Sequence, residues 1–281
     1  MSGNQANTLR QDGTVRPAGH PKTPSRSWRH PSTVLITGAT GGIGAALARS
    51  YAQPGRTLIL HGRDEPRLAS VARECAMRGA QVHGVTFDLH NAPAAIAALR
   101  SLSSQHVIDL TIINAAVSHA SGEGHEESWD VAQAVLAVNL DGAMATMEGV
   151  LPAMRQRGAG QIAIVSSLSA YFGLPITPTY CASKAALKAY GEAMRGWLAP
   201  EGIAVNVILP GFVRTPMSDR FPRAKPWLMS PERAATLMRR GLERNRARIA
   251  FPRALAWGMW WLSVLPAALS QWIVRASGYG R

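Results

Sequence analysis

The chain has 281 residues, 47% of them hydrophobic, which is enough for the core of one compact domain. Its two cysteines, Cys75 and Cys181, exclude a disulfide framework and give no metal-ligand spacing, so a reducing cytoplasm and no bound metal are expected. The net charge of +13 is concentrated at the two ends, with +4 on residues 1–30 and +7 on residues 239–281, and no nucleic-acid-binding motif accompanies it.

The first thirty residues are polar, contain Pro, Gly and Ser, and include no apolar run. They predict a disordered basic tail, residues 1–30, and not a secretory signal. Such a tail could touch anionic lipid or nucleic acid. An unselective solubilising role is the simpler interpretation, and no nucleic acid partner is expected.

The first predicted strand is the apolar run 34–36, which leads through Thr37 into a glycine-rich turn at 38–44. The alanine-rich segment 45–48 then predicts a helix. A strand, a glycine turn and a helix in this order suit dinucleotide binding. Glycines let the backbone approach a pyrophosphate, which is stabilised at the positive end of the helix.

Strand-like and helix-like segments alternate along the rest of the chain. The strand-like runs are 58–60, 82–87, 110–113, 162–165 and 203–209, and the helix-like runs include 66–78, 92–102 and 131–154. This alternation predicts a parallel sheet with helices on both faces. The fold class is therefore α/β, a Rossmann-type doubly wound sheet that forms one domain over residues 31–252.

A tyrosine and a lysine four residues apart, Tyr180 and Lys184, are the strongest chemical signal in the chain. Thr177 and Pro178 predict the cap and first position of a helix here, so both side chains lie on one face, one turn apart. A free tyrosine titrates near 10, and a neighbouring ammonium lowers that pKa. The pair predicts a proton donor and acceptor for alcohol and carbonyl chemistry.

Five motifs in order resemble the short-chain dehydrogenase/reductase family, over a match from about Ser32 to Thr215. They are Thr37-Gly38-x-x-x-Gly42-Ile43-Gly44, Val138-Asn139-Leu140, Ser167 thirteen residues before Tyr180, the Tyr180–Lys184 pair, and Pro210-Gly211 followed by Thr215. The resemblance implies the single-domain branch of NAD(P)-dependent oxidoreductases, in which the cofactor supplies the hydride chemistry.

The resemblance also implies roles for individual residues. Ser167 hydrogen-bonds the substrate oxygen while Tyr180 transfers its proton, and the spacing favours Ser167 over Ser166 and Ser169. Lys184 lowers the tyrosine pKa and holds the nicotinamide ribose, and Asn139 positions a water that links Lys184 to solvent. The implied cofactor contacts, with Thr215 at the carboxamide, are Gly38, Thr40, Gly42, Ile43, Gly44, Arg63, Asp88, Leu89, Asn114, Tyr180, Lys184 and Thr215.

The sequence departs from the family pattern in two places. Ala116 stands where the family has a glycine after the fourth strand, so the backbone must tolerate alanine or shift. The glycine turn also fits the spacing of the longer epimerase-like branch, through Gly38, Gly41 and Gly44. The chain is too short for that branch's additional substrate domain, so an epimerase-like role is the weaker alternative.

The segment after the second predicted strand bears on cofactor choice. By the family's register, Gly62 takes the place of the acid that selects NAD, and Arg63 takes the place of the base that binds the 2′-phosphate of NADP. A guanidinium recognises phosphate through several planar donors. NADP is therefore expected, with NAD as the second choice. Asp64 is interpreted as the cap of the helix that follows.

The substrate-facing segment, by resemblance, is 212–231, which contains the apolar Met217. Phe172 and Leu174 are further candidates for the same pocket, and Ser167 contacts the reacting oxygen. The apolar content predicts a lipophilic carbonyl or alcohol as the small-molecule substrate. The basic residues in this segment could bind an acidic head group, but solvated surface charge is the favoured explanation.

The C-terminal extension, residues 253–281, is a separate feature. Residues 254–274 carry no charge and include four tryptophans, with Arg253 and Arg275 at their two ends. Because Pro266 interrupts the run, it predicts a monotopic helix or helical hairpin at a membrane surface rather than a span. Peripheral membrane contact through 253–275, on the inner face of a membrane, a C-terminal lid, and burial in a homo-oligomer all remain open.

Two classes of function are compatible with these features. The first is an NADP(H)-dependent oxidoreductase that interconverts a carbonyl and a secondary alcohol on a lipophilic molecule. The second is a non-catalytic dinucleotide-binding protein that docks a membrane or partner through its C-terminal segment. The four residues Asn139, Ser167, Tyr180 and Lys184 favour the first, because a pure binding protein has no chemical need for all of them.

Overall fold

The computed structural model describes residues 30–119 and 127–279. The predicted tail lies outside these residues, apart from His30. The strands are β1 Thr33–Ile36, β2 Thr57–His61, β3 Gln81–Val85, β4 Leu110–Ile113, β5 Gly160–Val165, β6 Ile203–Pro210 and β7 Arg248–Phe251. They form a parallel seven-stranded sheet in the order β3-β2-β1-β4-β5-β6-β7.

Helices cover both faces of this sheet. Their bounds are α1 Gly42–Tyr51, α2 Glu65–Ala76, α3 Ala92–Gln105, α4 Trp129–Leu136, α5 Gly142–Arg157, α6 Pro178–Leu198, α7 Pro216–Asp219, α8 Pro231–Glu243, α9 Arg253–Val264 and α10 Ala267–Val274. Apolar side chains of α1, α2 and α8 share one buried cluster with the sheet, and those of α3, α5 and α6 share the other. The predicted doubly wound α/β fold is confirmed.

The central strands are mostly apolar because both faces of the sheet are covered. Every residue of β4 and β6 is buried, and burying one such aliphatic side chain contributes about 1.5–3 kcal/mol. β3, at the edge, is mostly exposed. The strand order reverses direction between β1 and β4, which are neighbours. The carboxyl ends of these two strands therefore open a crevice, which is where ligands bind in sheets of this kind.

One helix, α8, and one strand, β7, were not predicted from the sequence. α8 begins after Ser230, whose hydroxyl accepts a hydrogen bond from the Arg233 backbone N–H at 3.2 Å, and β7 follows it. The Ser-Pro pair at 230–231 is a typical helix start and was the available signal. β7 has only four residues and pairs at the sheet edge, so its sequence pattern is weak.

The predicted helix 131–154 is longer and irregular. It runs from Trp129 to Arg157 through a π-helical turn at Ala137–Asp141. By length and composition this stretch could cross a membrane, but 61% of its apolar window is buried inside the protein, as expected for a core helix. The π-helical turn carries Asn139, which is fully buried.

The C-terminal extension forms two short helices, as predicted. α9 and α10 are separated at Leu265 and Pro266, and the Ser270 hydroxyl of α10 donates to the Leu262 carbonyl of α9 at 2.8 Å. Helices of 12 and 8 residues are about 18 and 12 Å long at 1.5 Å per residue. Neither is long enough for the roughly 30 Å core of a bilayer.

Candidate active site

The glycine-rich turn after β1 is packed too tightly for side chains at three positions. A Cβ on Gly44 would lie 2.1 Å from the Gly38 carbonyl oxygen, and one on Gly42 would lie 2.7 Å from Thr215 Cγ2. Gly38 has a φ of 68°, and its Cβ would lie 2.8 Å from Ala115 Cα. A Cβ on Gly41 would make an ordinary contact at 3.5 Å. The packing thus requires the 38-42-44 glycine pattern and not the 38-41-44 pattern of the longer branch.

Asn114, at the end of β4, holds this turn in place. Its side-chain amide donates to the carbonyls of Thr37 and Gly38, both at 3.1 Å. Its backbone N–H donates to the Thr37 hydroxyl at 3.0 Å. These bonds connect the carboxyl ends of β1 and β4, so Asn114 supports the turn from behind while also lining the crevice.

Alanine at position 116 fits without backbone strain. Among the described residues, the non-glycines with positive φ are Trp227 and Asn245, so Ala116 does not adopt the left-handed conformation. It lines the crevice beside Val117. The departure from the family glycine therefore leaves this wall of the crevice intact.

The end of β2 presents an exposed arginine to the crevice. Arg63 follows the buried Gly62, and both line the cavity. The carboxylate of Asp64 accepts a hydrogen bond from the Arg67 backbone N–H at 3.0 Å and lies 3.3 Å from its guanidinium. Asp64 thus caps α2, as the sequence indicates. Asp88 and Leu89, after β3, line the same part of the cavity.

Ser167 and Tyr180 are brought together by two different elements. Ser167 follows β5, and Tyr180 lies in the first turn of α6. The Ser167 side chain lies beside the Tyr180 phenol, and the Ser169 hydroxyl donates to the Ser167 hydroxyl at 2.9 Å. Ser169, an alternative to Ser167 in the sequence, is therefore its hydrogen-bonding neighbour. Ser166 points elsewhere and donates to the Lys184 carbonyl at 2.7 Å.

Lys184 is buried beneath this pair. Its ammonium donates to the Val165 carbonyl at 3.0 Å and lies 5.6 Å from the centroid of the Tyr180 ring. Asn139 lies behind it and does not line the cavity. The Asn139 amide exchanges two hydrogen bonds with the Val117 backbone, at 2.8 and 2.9 Å, and donates to the Ser183 hydroxyl at 3.1 Å. Asn139 thus ties the loop after β4 to α6.

Burial dominates the acid–base properties of the pair. It raises the pKa of Tyr180 to about 12, and the neighbouring Ser167 side chain opposes this rise. Burial also lowers the pKa of Lys184 to about 8. Burial outweighs the other influences on the phenol, so its net pKa lies above the ordinary value, and the expected effect of Lys184 on that pKa stays a prediction. At neutral pH the site holds a neutral phenol beside an ammonium.

The N-terminus of α6 is capped differently from the prediction. Thr177 is the N-cap residue, but its side chain makes no capping hydrogen bond. The carboxylate of Glu127 instead accepts from the Thr179 backbone N–H at 3.2 Å and from the Thr179 hydroxyl at 2.6 Å. No local sequence signal connects residues 52 positions apart, so Glu127 was missed. It supports the turn that carries Tyr180.

Most of the predicted site residues line one cavity of about 810 Å³, which is within the range of small-molecule sites. Asn139 and Phe172 are the two predicted site residues that do not line it. Phe172 lies in an adjacent groove of about 630 Å³, which shares Ser169, Leu174 and Val274 with the cavity. The predicted residues that the cavity brings together are Gly38, Thr40, Gly42, Ile43, Gly44, Arg63, Asp88, Leu89, Asn114, Ser167, Tyr180, Lys184, Thr215 and Met217.

The cavity has a roof, which corresponds to the C-terminal lid that the sequence left open as one alternative. It is formed by apolar side chains of the C-terminal extension, among them Leu255, Met259, Leu262 and Ile273. Thr215 lies near the opposite wall, where its hydroxyl accepts from the Ser218 backbone N–H at 3.1 Å and caps α7. The roof is distant in sequence from the other walls, and periodicity alone could not place it.

Comparison with known proteins agrees with this geometry. Residues 32–226 match the family model described as short chain dehydrogenase. An uncharacterized oxidoreductase of Myxococcus xanthus is 34% identical over 84% of this chain and 94% of its own length. Dehydrogenase/reductase SDR family member 7B of Danio rerio is 35% identical over 66% of this chain, and the match covers only 62% of the fish protein.

Two solved structures have the same fold. A short-chain dehydrogenase from Sphingobium yanoikuyae in complex with NADPH has a TM-score of 0.73 and 26% identity, over 89% of this chain and 96% of that one. A short-chain dehydrogenase from Burkholderia cenocepacia in complex with NADP has a TM-score of 0.73 and 26% identity, over 86% of this chain and 96% of that one. The chain therefore belongs to the short-chain dehydrogenase/reductase family of oxidoreductases.

Proposed function

We propose that this chain is an NADP(H)-dependent oxidoreductase that interconverts a carbonyl and a secondary alcohol on a lipophilic small molecule. The observation that carries the proposal is the convergence of Ser167, Tyr180 and Lys184 in the cavity that the glycine turn also lines. In that cavity the Ser167 hydroxyl, the Tyr180 phenol and the Lys184 ammonium supply a hydrogen-bond donor, a proton donor and a positive charge.

The residues of the crevice fit a dinucleotide. Gly41, the N-cap residue of α1, makes no side-chain capping bond, and the first turn of α1 carries no acid. The backbone N–H groups and positive end of this helix are thus available to a pyrophosphate. The glycines leave room for it, since side chains there would fill the turn. The two related structures described above contain NADPH and NADP, which supports the same cofactor here.

Arg63 is the residue proposed to select NADP over NAD. It is exposed at the rim of the cavity, where Gly62 offers no carboxylate to a ribose hydroxyl. A Cβ on Gly62 would lie 2.6 Å from Thr40 Cγ2, so an acid could not be placed there without moving Thr40. Arg67 also lines the cavity, but its guanidinium is paired with Asp64, which caps α2, so Arg63 is the cavity-lining guanidinium that suits a 2′-phosphate.

Arg63→Ala should therefore change cofactor selectivity. Charge-assisted hydrogen bonds contribute about 1.5–3 kcal/mol, so the ratio of kcat/KM for NADPH to that for NADH should fall about tenfold to a hundredfold. Arg73→Ala is the matched control, because Arg73 is exposed on α2 and does not line the cavity. An unchanged ratio in Arg63→Ala would remove this residue from the selectivity argument.

In carbonyl reduction, each side chain has one task. The Ser167 hydroxyl donates a hydrogen bond to the substrate oxygen, and Tyr180 gives its phenolic proton to that oxygen as negative charge develops there. Lys184 stabilises the resulting phenolate with its ammonium. Asn139 holds the loop after β4 against α6 through Ser183, which keeps Tyr180 and Lys184 in register. NADPH, when bound, supplies the hydride to the carbonyl carbon.

The rate of reduction should depend on the protonation of Lys184. Burial lowers the pKa of Lys184 to about 8, so the ammonium is present below that pH and is lost as the pH rises through it. We expect kcat for reduction to be level below this value and to decline above it. The pH–rate profile measures this. A break near the ordinary lysine pKa of 10.5 would contradict it, and Lys184→Arg, which stays charged, should remove the break.

The substrate is proposed to be lipophilic because the end of the cavity under the C-terminal roof is apolar. Phe212, Met217 and Phe221 line one side, and the C-terminal roof lines another. The direct test is NADPH oxidation by the purified protein with aliphatic, aromatic and sterol-like carbonyls. Turnover with these substrates, lost in Tyr180→Phe, would support the proposal. Turnover restricted to small polar carbonyls would contradict the assigned substrate class.

Peripheral membrane contact through 253–275 is part of the same proposal, with the protein on the cytoplasmic face of the bilayer. Trp257 and Trp272 are 63% and 65% exposed. From residue 244 to the end, the chain has six arginines and no acid. Exposed tryptophans among cations suit an anionic membrane interface. Burial of the same surface in a homo-oligomer is the alternative.

The double variant Trp257→Ala/Trp272→Ala should bind vesicles containing anionic lipid at least about tenfold more weakly than the wild type. Trp129→Ala is the control, since Trp129 is 74% exposed elsewhere on the fold. Co-sedimentation measures the binding, and sedimentation velocity measures the oligomeric state. A variant that binds vesicles normally but dissociates into smaller species would support the oligomer instead.

A further inference from the structure

We propose that the C-terminal extension forms half of the substrate site, an apolar subsite for the part of the substrate that lies away from the reacting carbonyl. The inference rests on the proposed function and deepens it. The subsite would bind an alkyl chain or a fused hydrocarbon ring system. Tyr279 would hold the C-terminal extension in place over the cavity.

The first support is where these residues come from. The family match ends at residue 226, whereas the roof is built from α9, α10 and the turn at Arg275–Tyr279. The roof thus lies outside the segment that the family model matches. Its cavity-lining side chains carry no charge, and they are Leu255, Met259, Trp261, Leu262, Leu265, Ile273, Val274, Ser277 and Tyr279.

The second support is that the roof is anchored beside the catalytic residues. Leu255 and Met259 of α9 pack on a buried cluster that contains Leu168, the neighbour of Ser167, and Leu209 of β6. A Cβ on Gly211 would lie 3.0 Å from Leu255 Cδ2, so the contact between α9 and the end of β6 is close. The apolar side chains of α9 therefore stand directly over the reacting end of the cavity.

The third support is a contact that closes the far end of the roof. The Tyr279 hydroxyl donates a hydrogen bond to the Ala224 carbonyl. Its ring lies 6.1 Å from that of Phe221, which lies 5.2 Å from Phe212, with distances taken between ring centroids. All three aromatic residues line the cavity. The end of the chain is thus tied to the substrate-facing segment 212–231, and the two together enclose the apolar space.

The two faces of the extension differ, which supplies a matched control. Leu262 faces the cavity, whereas Val264 and Leu269 are 53% and 43% exposed and do not line it. The same substitution can therefore be placed on the inner and outer faces of one helix pair. A charge on the inner face should exclude an alkyl chain from the cavity, and a charge on the outer face should not.

The test is the binding of straight-chain methyl ketones of increasing length to protein saturated with NADP⁺, measured by calorimetry. Neither ligand can reduce the other, so binding is seen without turnover. In the wild type, Kd should fall by up to about fourfold for each added methylene until the roof is filled. Leu262→Asp should abolish this dependence on chain length, and Val264→Asp and Leu269→Asp should keep it.

Tyr279 is tested in the same assay. Tyr279→Phe keeps the ring and loses the hydrogen bond, so long ketones should bind a few fold more weakly while short ketones are unaffected. Tyr279→Ala loses both contacts and should have a larger effect. The melting temperature and the NADP⁺ affinity of each variant, which the roof does not determine, should match the wild type. A general loss of structure would change these values and affect short and long ketones alike.

The outcomes separate this inference from the proposed function. A wild type without chain-length dependence, or a Leu262→Asp variant that retains it, would overturn the apolar subsite. Reduction of the same ketones by NADPH is measured separately. A protein that binds long ketones through the roof but reduces none of the carbonyls would refute the proposed activity and leave the subsite in place.

Discussion

Tyr180→Phe should reduce kcat for NADPH-dependent carbonyl reduction by about a hundredfold to ten-thousandfold, the usual contribution of a general acid. The variant retains the ring and loses only the hydroxyl that gives up the proton. The Ser167 hydroxyl keeps its hydrogen bond from Ser169, at 2.9 Å, so it remains in position to bind the substrate oxygen. The NADPH dissociation constant should therefore stay close to that of the wild type.

Tyr190→Phe is the matched control for this variant. Tyr190 lies on the same helix, α6, but outside the cavity, where its hydroxyl lies 3.2 Å from Met147 Sδ. The same chemical change should leave turnover within about twofold of the wild type. Steady-state rates and NADPH titration are the two measurements. Comparable loss in both variants would point to a general packing effect, and an active Tyr180→Phe would remove the tyrosine from the mechanism.

Gly44→Ala should destroy the dinucleotide site by altering the turn itself. Its Cβ would lie 2.1 Å from the Gly38 carbonyl oxygen and 2.9 Å from Asn114 Nδ2. Since the obstruction is backbone, the turn must move, and the free energy of unfolding should fall by about 1–3 kcal/mol, as in other overpacked sites. NADPH should not bind at concentrations that saturate the wild type, because the N-terminus of α1 is displaced.

Gly41→Ala is the control on the same turn. Its Cβ would lie 3.5 Å from the Gly38 carbonyl oxygen, and the backbone at Gly41, with φ −77° and ψ 161°, suits any residue. We expect its unfolding free energy to stay within about 0.5 kcal/mol of the wild type. Denaturant melts of the two variants measure the difference. If both lose equal stability, the glycine pattern 38-42-44 is not the one that the packing requires.

The local parts of the site could be predicted because each depends on residues close together in the chain. The strand, glycine turn and helix at 34–48 determine the dinucleotide-binding turn. The four-residue spacing places Tyr180 and Lys184 on one helical face. The alternation of strand-like and helix-like runs determines a parallel doubly wound sheet, because parallel strands need crossover connections. The interruption at Pro266 determines that the C-terminal extension is two short helices.

Only the tertiary structure decided what depends on distant contacts. The pKa of Tyr180 is set by burial under several elements, and the carboxylate of Glu127 reaches the start of α6 across 52 residues. Phe172 is close to Ser167 in the sequence, but it follows the short helical turn at Leu168–Ala170 and lines the adjacent groove. The roof over the cavity is likewise built from the far end of the chain. Periodicity and spacing describe which face of an element is apolar, whereas the partner that this face meets depends on how the whole chain packs.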